Sequence, residues 1–206
     1  MQWNSNDAAA ARSLALVSYD DLTGSGRSKV HSMYEESFPA DELVDFESVL
    51  LEATHAGMGV NLYGMVDRER GDDDPAGLAC ILREDVRMPG ITYVLYLAID
   101  PSTRGMGYGS VALDTIAAMY SDTGIALDIE TVSKMDGSED PADRANRLRR
   151  LHFYEKNGFA FTGLTFDSDF VPYDLMYRGQ NMDAKDFDAM RAYFEWLEQN
   201  IDGFFF

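Results

Sequence analysis

Cysteine is almost absent from this chain of 206 residues, in which Cys80 is the single example. A lone cysteine excludes an internal disulfide, and this usage is typical of proteins in a reducing compartment, so we expect a cytoplasmic location. Cys80 stands inside an apolar run, which predicts a buried structural thiol rather than a nucleophile. The spacing of His31, His55 and His152 does not fit a metal site. The sequence therefore predicts no metal cofactor.

Basic residues are scarce as well, with 17 Lys and Arg against 36 Asp and Glu and a formal charge of −19. Proteins that bind nucleic acid neutralise its phosphates with Lys and Arg, so we expect no nucleic-acid partner. No apolar run approaches the length of a membrane span, and residues 1–12 lack the pattern of a signal peptide, so we expect no membrane partner. The negative charge favours either a cationic acceptor or simple solubility.

Apolar residues make up 46% of the chain, which is enough for a globular domain. Alternating and continuous apolar runs predict strands at about 13–18, 61–67, 77–83, 91–99, 125–132, 160–166 and 171–178. Helical spacing predicts helices at about 28–38, 40–54, 108–120, 141–157 and 183–201. The acidic loop 136–143, which contains Gly and Pro, either shapes the mouth of a site or is a simple connection.

The most informative segment runs from Tyr93 to Ser110. A buried strand ends at Asp100-Pro101, and Gly105, Gly107 and Gly109 then precede a helix. Glycines let the backbone approach an anion closely, and the N-terminus of a helix offers unpaired N–H groups to it. The segment therefore predicts a pyrophosphate site, with a tight turn that binds no ligand as the alternative. The spacing fits neither a Rossmann loop nor a P-loop.

Two motifs resemble those of the GNAT acetyltransferases. Arg104, Gly107 and Gly109 match the family's acyl-CoA loop R/Q-x-x-G-x-G/A, and Leu97-Ala-Ile-Asp-Pro101 resembles the strand end before it. Phe153-Tyr-Glu-Lys-Asn-Gly-Phe159 resembles a second family motif, and the likeness extends over about residues 13–180. It implies an α/β (α+β) fold with a mixed, splayed sheet of about seven strands, helices on both faces, and acetyl-CoA as co-substrate. The implied cofactor-binding residues are Leu97, Ala98, Ile99, Arg104, Gly105, Met106, Gly107, Tyr108, Gly109, Ser110, Arg147 and Arg150.

Two carboxylates lie on the strand predicted at 125–132. Asp128 and Glu130 share the face opposite Ile125, Leu127 and Ile129. A carboxylate on a mostly buried strand is costly unless it is used or paired. Glu130 lies toward the carboxyl end, and a glutamate is often placed there in the family, so we assign it as the general base. The alternative is an ion pair with an arginine of the next helix. Asp128 is assigned to substrate binding.

The helix predicted at 141–157 carries the second catalytic candidate. Tyr154 occupies the position of the family's usual general acid, and a phenol is protonated at neutral pH; the alternative is a core aromatic residue. Arg147 and Arg150 share its helix face. Many relatives have Asn and Ala at these two positions, so the arginines either contact a CoA phosphate or pair with Glu130.

The resemblance implies an acetyl-CoA-dependent N-acetyltransferase whose acceptor is a primary amine of a small molecule or peptide. Glu35 and Glu36 fall where relatives place the walls of the acceptor site, although a solvated helix face is the alternative. A longer acyl donor, an O-acceptor or a non-catalytic acyl-CoA-binding module remain alternatives. The domain is assigned to residues 1–180. Residues 181–206 form a helical extension that packs on this domain or forms a contact between two copies of the chain.

Overall fold

Seven strands form one mixed sheet in the order β1-β2-β3-β4-β5-β7-β6. The structure, a computed structural model, describes residues 13–40, 43–71, 73–83, 86–132, 140–166, 172–179 and 184–204. Neighbouring strands are antiparallel except for the parallel pair β4 and β5. The strands are β1 Leu14–Ser18, β2 Val60–Asp67, β3 Gly77–Leu82, β4 Ile91–Ile99, β5 Gly124–Glu130, β6 Ala160–Phe166 and β7 Tyr173–Arg178.

Helices cover both faces of this sheet. They are α1 Gly24–Ser37, a π-helical segment Phe46–Leu51 that continues into α2 Glu52–His55, α3 Tyr108–Met119, α4 Pro141–Lys156 and α5 Ala184–Asn200. One core cluster joins the sheet to α1, α2 and α5, and a second joins it to α3 and α4. The architecture confirms the predicted fold class.

The helix predicted at about 40–54 begins later than expected. The side chain of Asp45 accepts the backbone N–H of Ser48 at 2.8 Å and caps the segment that starts at Phe46. An Asp at this position satisfies an N–H group that has no partner inside the helix. Residues 136–139 of the acidic loop predicted at 136–143 lie outside the described residues, as do the first twelve residues and the last two phenylalanines, and 141–143 form the start of α4.

The parallel strands β4 and β5 pair over only three residues each. Ile91, Thr92 and Tyr93 face Gly124, Ile125 and Ala126, and the described strands share no further register beyond that point. β4 continues to Ile99 and β5 to Glu130. The carboxyl ends of the two strands therefore separate, and ligands of parallel strands bind at such ends.

A β-bulge in β4 lies beside this separation. Cys80 pairs with Tyr96 and Ile81 pairs with Val94, so Leu95 is an extra residue. Such a bulge bends a strand and re-aims the side chains that follow it. As a result, Tyr93 and Tyr96 both belong to the core cluster beneath α1 and α5, although three positions separate them.

The C-terminal helix α5 contributes to the core of the same sheet. Met190, Tyr193 and Leu197 are fully buried. The Tyr193 hydroxyl donates to the carbonyl of Met58 at 2.6 Å, and the ring of Phe194 meets that of Tyr93 edge-on at 4.9 Å. The apolar stripe of this helix thus faces β4 and its neighbours.

Two buried carboxylates hold the ends of the segment that joins β4 to α3. Asp100 pairs with Lys29 of α1 and accepts the N–H of Ser102 at 2.8 Å. Burial opposes ionisation of Asp100, but Lys29 and Ser102 together hold its pKa down at about 2. At the other end, the Tyr108 hydroxyl donates to Asp67 at 2.5 Å. The loop is therefore fixed to α1 and to β2.

Leu197→Ala should test the packing of α5. The side chain is fully buried, so we expect the free energy of unfolding to fall by about 2–5 kcal/mol. Gln199→Ala, at an exposed position of the same helix, is the matched control and should change stability by less than about 0.5 kcal/mol. Chemical denaturation of both variants measures the difference, and equal losses would contradict the packing.

Lys29→Met should remove a pH-dependent part of the stability. Because the pKa of Asp100 lies below its ordinary value of 3.8, the ion pair stabilises the fold above about pH 4, and this contribution disappears as the pH falls towards 2. Lys29 shares the lowering of the Asp100 pKa with Ser102, so the contribution lost in Lys29→Met is at most about 2 kcal/mol at neutral pH.

Urea unfolding at about pH 7 and about pH 3 measures this contribution. Wild type should exceed Lys29→Met in stability at the higher pH, and the gap should narrow at the lower one. Lys156→Met, at an exposed lysine of α4, is the control and should show no gap. An equal gap for Lys29→Met at both pH values would contradict the linkage.

Candidate active site

The loop before α3 presents unpaired backbone donors. Gly105 and Gly107 adopt φ values of 77° and 89°, in the left-handed region that glycine favours. Gly107 is the N-cap residue of α3. Within the described part of the chain, the N–H groups of Gly105, Gly107 and Gly109 have no hydrogen-bond acceptor. Unpaired donors and the positive end of a helix dipole could hold an anion, and the assignment of this loop to a pyrophosphate remains a prediction.

Gly109 has a different role from the two glycines before it. A Cβ atom at this position would lie 2.9 Å from Cζ of Phe153. Glycine therefore lets the first turn of α3 approach α4, whereas the space around Gly105 and Gly107 is open. A side chain at Gly107 would thus be opposed by its backbone conformation and not by a protein neighbour.

The other predicted cofactor residues lie at distinct places around this loop. Arg104 is exposed, and its Nε donates to the carbonyl of Ile99 at 3.1 Å. Met106 is exposed, Tyr108 buries its phenol against Asp67, and the N–H of Ser110 bonds to the carbonyl of Gly107 at 3.1 Å. Leu97 and Ile99 belong to the cluster beneath α3 and α4, whereas Ala98 points to the opposite core. The structure thus separates Ala98 from its neighbours.

Tyr154 lies on α4, in the turn that contacts the loop. Its ring packs edge-on against Phe153 and Phe159, with centroids 5.1 and 5.6 Å away. Burial raises the pKa of Tyr154 to about 12; Arg150 opposes this increase and Asp128 adds to it. In the described structure its hydroxyl has no hydrogen-bond partner. The phenol is therefore protonated at neutral pH and available as a donor.

Glu130, the predicted base, contacts two arginines of α4. One carboxylate oxygen pairs with Arg147 and the other with Arg150. The Glu130 side chain is 14% exposed, and that of Arg150 is 51% exposed. Arg147 Nε is buried and makes this ion pair without the alignment of a hydrogen bond. These contacts match the ion-pair alternative, and the assignment of Glu130 as base remains a prediction.

Asp128 lies two residues before Glu130, near the point where β4 and β5 separate. It is partly buried, and the phenol of Tyr93 forms a hydrogen bond with it. Burial, followed by the charge of Asp128, raises the pKa of Tyr93. Asp128 thus lies between the buried start of β4 and the helix that carries Tyr154.

Glu35 and Glu36 lie on the exposed side of α1. Glu35 is 3.5 Å from His31, and Glu36 accepts the hydroxyl of Ser32 at 2.8 Å. These local contacts match the alternative of a solvated helix face, and a role in acceptor binding remains a prediction.

An aromatic group between α1 and β4 was not identified from the sequence. Tyr34 of α1 and Phe38, the residue that follows this helix, each place a ring 5.0 Å from that of Tyr96. Strict alternation along β4 would put Tyr93 and Tyr96 on opposite faces, and the bulge at Leu95 overrides it. The aromatic spacing at the end of α1 was the available signal.

None of the helices that the structure describes is long and apolar enough to cross a membrane. Within the described ranges, no three His, Cys, Asp or Glu side chains come together in a way that could hold a metal ion.

Solved structures of other proteins are similar to this chain. A protein assigned to the GNAT family of acetyltransferases, from Bacteroides thetaiotaomicron, is 25% identical with a TM-score of 0.65, covering 87% of this chain and 93% of that one. Arabidopsis thaliana Naa50, in complex with the bisubstrate analogue CoA-Ac-MVNAL, is 17% identical with a TM-score of 0.54, covering 82% and 99%. The second likeness is evidence of the fold alone.

Among curated protein sequences, none matches the chain significantly. The sequence profile described as the acetyltransferase (GNAT) family matches residues 27–159, which is more than half of the chain and includes both motifs. The chain therefore belongs to the GNAT family of acetyltransferases.

Proposed function

We propose that this protein is an acetyl-CoA-dependent N-acetyltransferase and that its acceptor is a primary amine of a small molecule or peptide. The observation that carries the proposal is the arrangement of the loop before α3. Among the residues that the structure describes, three glycine N–H groups of this loop and the Tyr154 hydroxyl have no hydrogen-bond partner, and Gly109 packs against the helical turn that carries Tyr154. A site for the phosphates of a cofactor thus adjoins a proton donor.

The residues present fit acetyl-CoA. The N–H groups of Gly105, Gly107 and Gly109 would hold its pyrophosphate, and the exposed guanidinium of Arg104 would add a positive charge. When bound, acetyl-CoA supplies an acetyl group activated as a thioester. The local donors have to outweigh the formal charge of −19, which repels an anionic cofactor at long range.

Tyr154 is the proposed general acid. Its neutral phenol can donate a proton to the thiolate that leaves when the amine attacks. Glu130 remains the proposed base, acting through water, while Asp128 and Glu35 are the next carboxylates that could accept the ammonium proton. The Naa50 complex, whose analogue joins CoA to a peptide, supports a peptide amine as one acceptor class.

A panel of primary amines, with release of free thiol as the readout, tests the proposed function. Acetyl transfer to at least one amine is expected, and longer acyl donors and alcohols in the same panel test the alternative reactions. Tight binding of acetyl-CoA without turnover of any acceptor would favour a non-catalytic acyl-CoA-binding module instead.

Tyr154→Phe should lower kcat by about 10²–10⁴-fold, because the leaving thiolate loses its proton donor. Binding of acetyl-CoA, measured by calorimetry, should remain nearly unchanged. Tyr120→Phe is the matched control, because it also removes a phenol hydroxyl. Tyr120 lies at the far end of α3, and its hydroxyl bonds to that of Tyr63 at 2.9 Å. Full turnover by Tyr154→Phe, with chemistry shown to limit the rate, would rule out this acid.

Gly107→Asp and Gly107→Asn should separate charge from backbone strain. Both side chains have nearly the same size and tolerate a left-handed conformation better than other residues do. Only Asp adds a negative charge beside the proposed pyrophosphate site, so it should weaken acetyl-CoA binding by about tenfold or more relative to Asn. Equal affinities of the two variants, measured by calorimetry, would place the phosphates elsewhere.

A further inference from the structure

We propose that Arg150, held in place by Glu130, stabilises the negative charge on the departing sulfur of CoA. The inference rests on the proposed function and deepens it, because it gives the Glu130–arginine cluster a part in the reaction. Arg150 then acts on the reacting atoms and Glu130 is a positioning residue, so that Asp128 or Glu35 takes its place as the proposed base.

The geometry places Arg150 beside the proposed acid. Arg150 and Tyr154 are four residues apart on α4, and side chains at this spacing lie about 5–6 Å apart at Cβ on one helix face. Glu130 reaches Arg150 from β5, so two elements fix the guanidinium. Its neighbour in the cluster, Arg147, occupies the other oxygen of the same carboxylate.

Exposure distinguishes the two arginines of this cluster. The Arg147 side chain is 18% exposed, whereas that of Arg150 is 51% exposed although it shares the same carboxylate. Arg147 alone can balance the charge of the partly buried Glu130. Arg150 keeps N–H groups that Glu130 does not occupy, since a guanidinium has five donors. These remain available for a second negatively charged group.

The pKa values of the phenol and the thiol explain why a cation is needed beside the departing sulfur. The pKa of Tyr154 is about 12, and that of an ordinary alkyl thiol is about 8.5. Proton transfer from the phenol to the thiolate is therefore unfavourable by roughly 10³-fold. The sulfur has to carry negative charge while the C–S bond breaks, and a fixed cation stabilises this charge without reorganisation.

The charged groups around Tyr154 make this role specific to Arg150. Asp128 opposes negative charge at the Tyr154 oxygen, and Arg150 favours it. In the balanced step, the amine nitrogen forms the new C–N bond and the C–S electron pair moves to sulfur beside Arg150. Tyr154 then donates its proton to sulfur and regains one from water, and the proton that the amine nitrogen loses neutralises the hydroxide left behind.

Calorimetry of free CoA measures the inference without turnover. CoA carries an ionisable thiol and acetyl-CoA does not, so the difference in protons released on binding reports ionisation of the thiol. If Arg150 lowers the thiol pKa by about one unit, wild type should release about 0.4 proton more with CoA than with acetyl-CoA at about pH 7.5. Arg150→Met should abolish the difference, and Arg150→Lys should restore part of it.

Kinetics on one accepted amine gives a second measure. Arg150→Met should lower kcat by about 10–10²-fold with little change in KM for acetyl-CoA, and Arg150→Lys should recover part of the loss. Arg149→Met is the matched control, because the described contacts of its side chain lie within α4 itself. Thermal melting of all three variants shows whether they remain folded.

Glu130→Gln separates positioning from base catalysis. If Glu130 positions Arg150, kcat should fall at every pH, and the substitution should have no further effect in the Arg150→Met background. If Glu130 is the base, raising the pH should rescue Glu130→Gln by supplying free amine.

The outcomes distinguish this inference from the proposed function. An active wild type whose proton release and kcat both survive Arg150→Met overturns the inference alone. A rescue of Glu130→Gln by high pH overturns the positioning role. A wild type that acetylates no amine overturns the proposed function and, with it, this inference.

Discussion

The separation of β4 from β5 is the constraint on which the rest of the structure depends. Three residues of each strand pair in parallel before the strands diverge. A continuous ladder would have closed the gap between the carboxyl ends of β4 and β5, where the loop, Asp128 and Glu130 lie. Opening the ladder leaves backbone groups that need other partners. The outer edges of the two strands stay paired, β5 with β7 over six residues and β4 with β3, so both strands remain in the sheet while their facing edges open.

The charges near this opening differ from those of the chain as a whole. The chain is strongly acidic overall, yet α4 carries four arginines within seven residues, at positions 144, 147, 149 and 150. Two of them are engaged by Glu130, and Lys29 is engaged by Asp100 and Asp74. These cations are therefore held at fixed points by carboxylates, while the net charge of −19 repels anions at long range. An acidic protein can bind an anionic cofactor in this way, because short-range donors dominate once contact is made.

Sequence patterns predicted the elements whose signals are local. The continuous apolar run of 91–99 and the strand at 160–166 agree with the structure residue by residue, and the alternation of β5 placed Ile125, Leu127 and Ile129 on one core face. The common face of Tyr93 and Tyr96 was not predictable, since a bulge changes the alternation without changing composition. The pairing of Glu130 with both Arg147 and Arg150 was open for a similar reason: helix spacing shows that the arginines share a face but not which strand residue they reach.

The position of α5 has a consequence for synthesis on the ribosome. Tyr93 is buried partly against Phe194, a residue made about a hundred positions later. β7, which lies between β5 and β6 in the sheet, is also made after both of them. A nascent chain that has released only its first half therefore exposes an aromatic strand and an open sheet edge, and such surfaces favour aggregation. The core around Tyr93 can be completed only when α5 has left the exit tunnel, so truncation or stalling before α5 would leave Tyr93 without its partner Phe194.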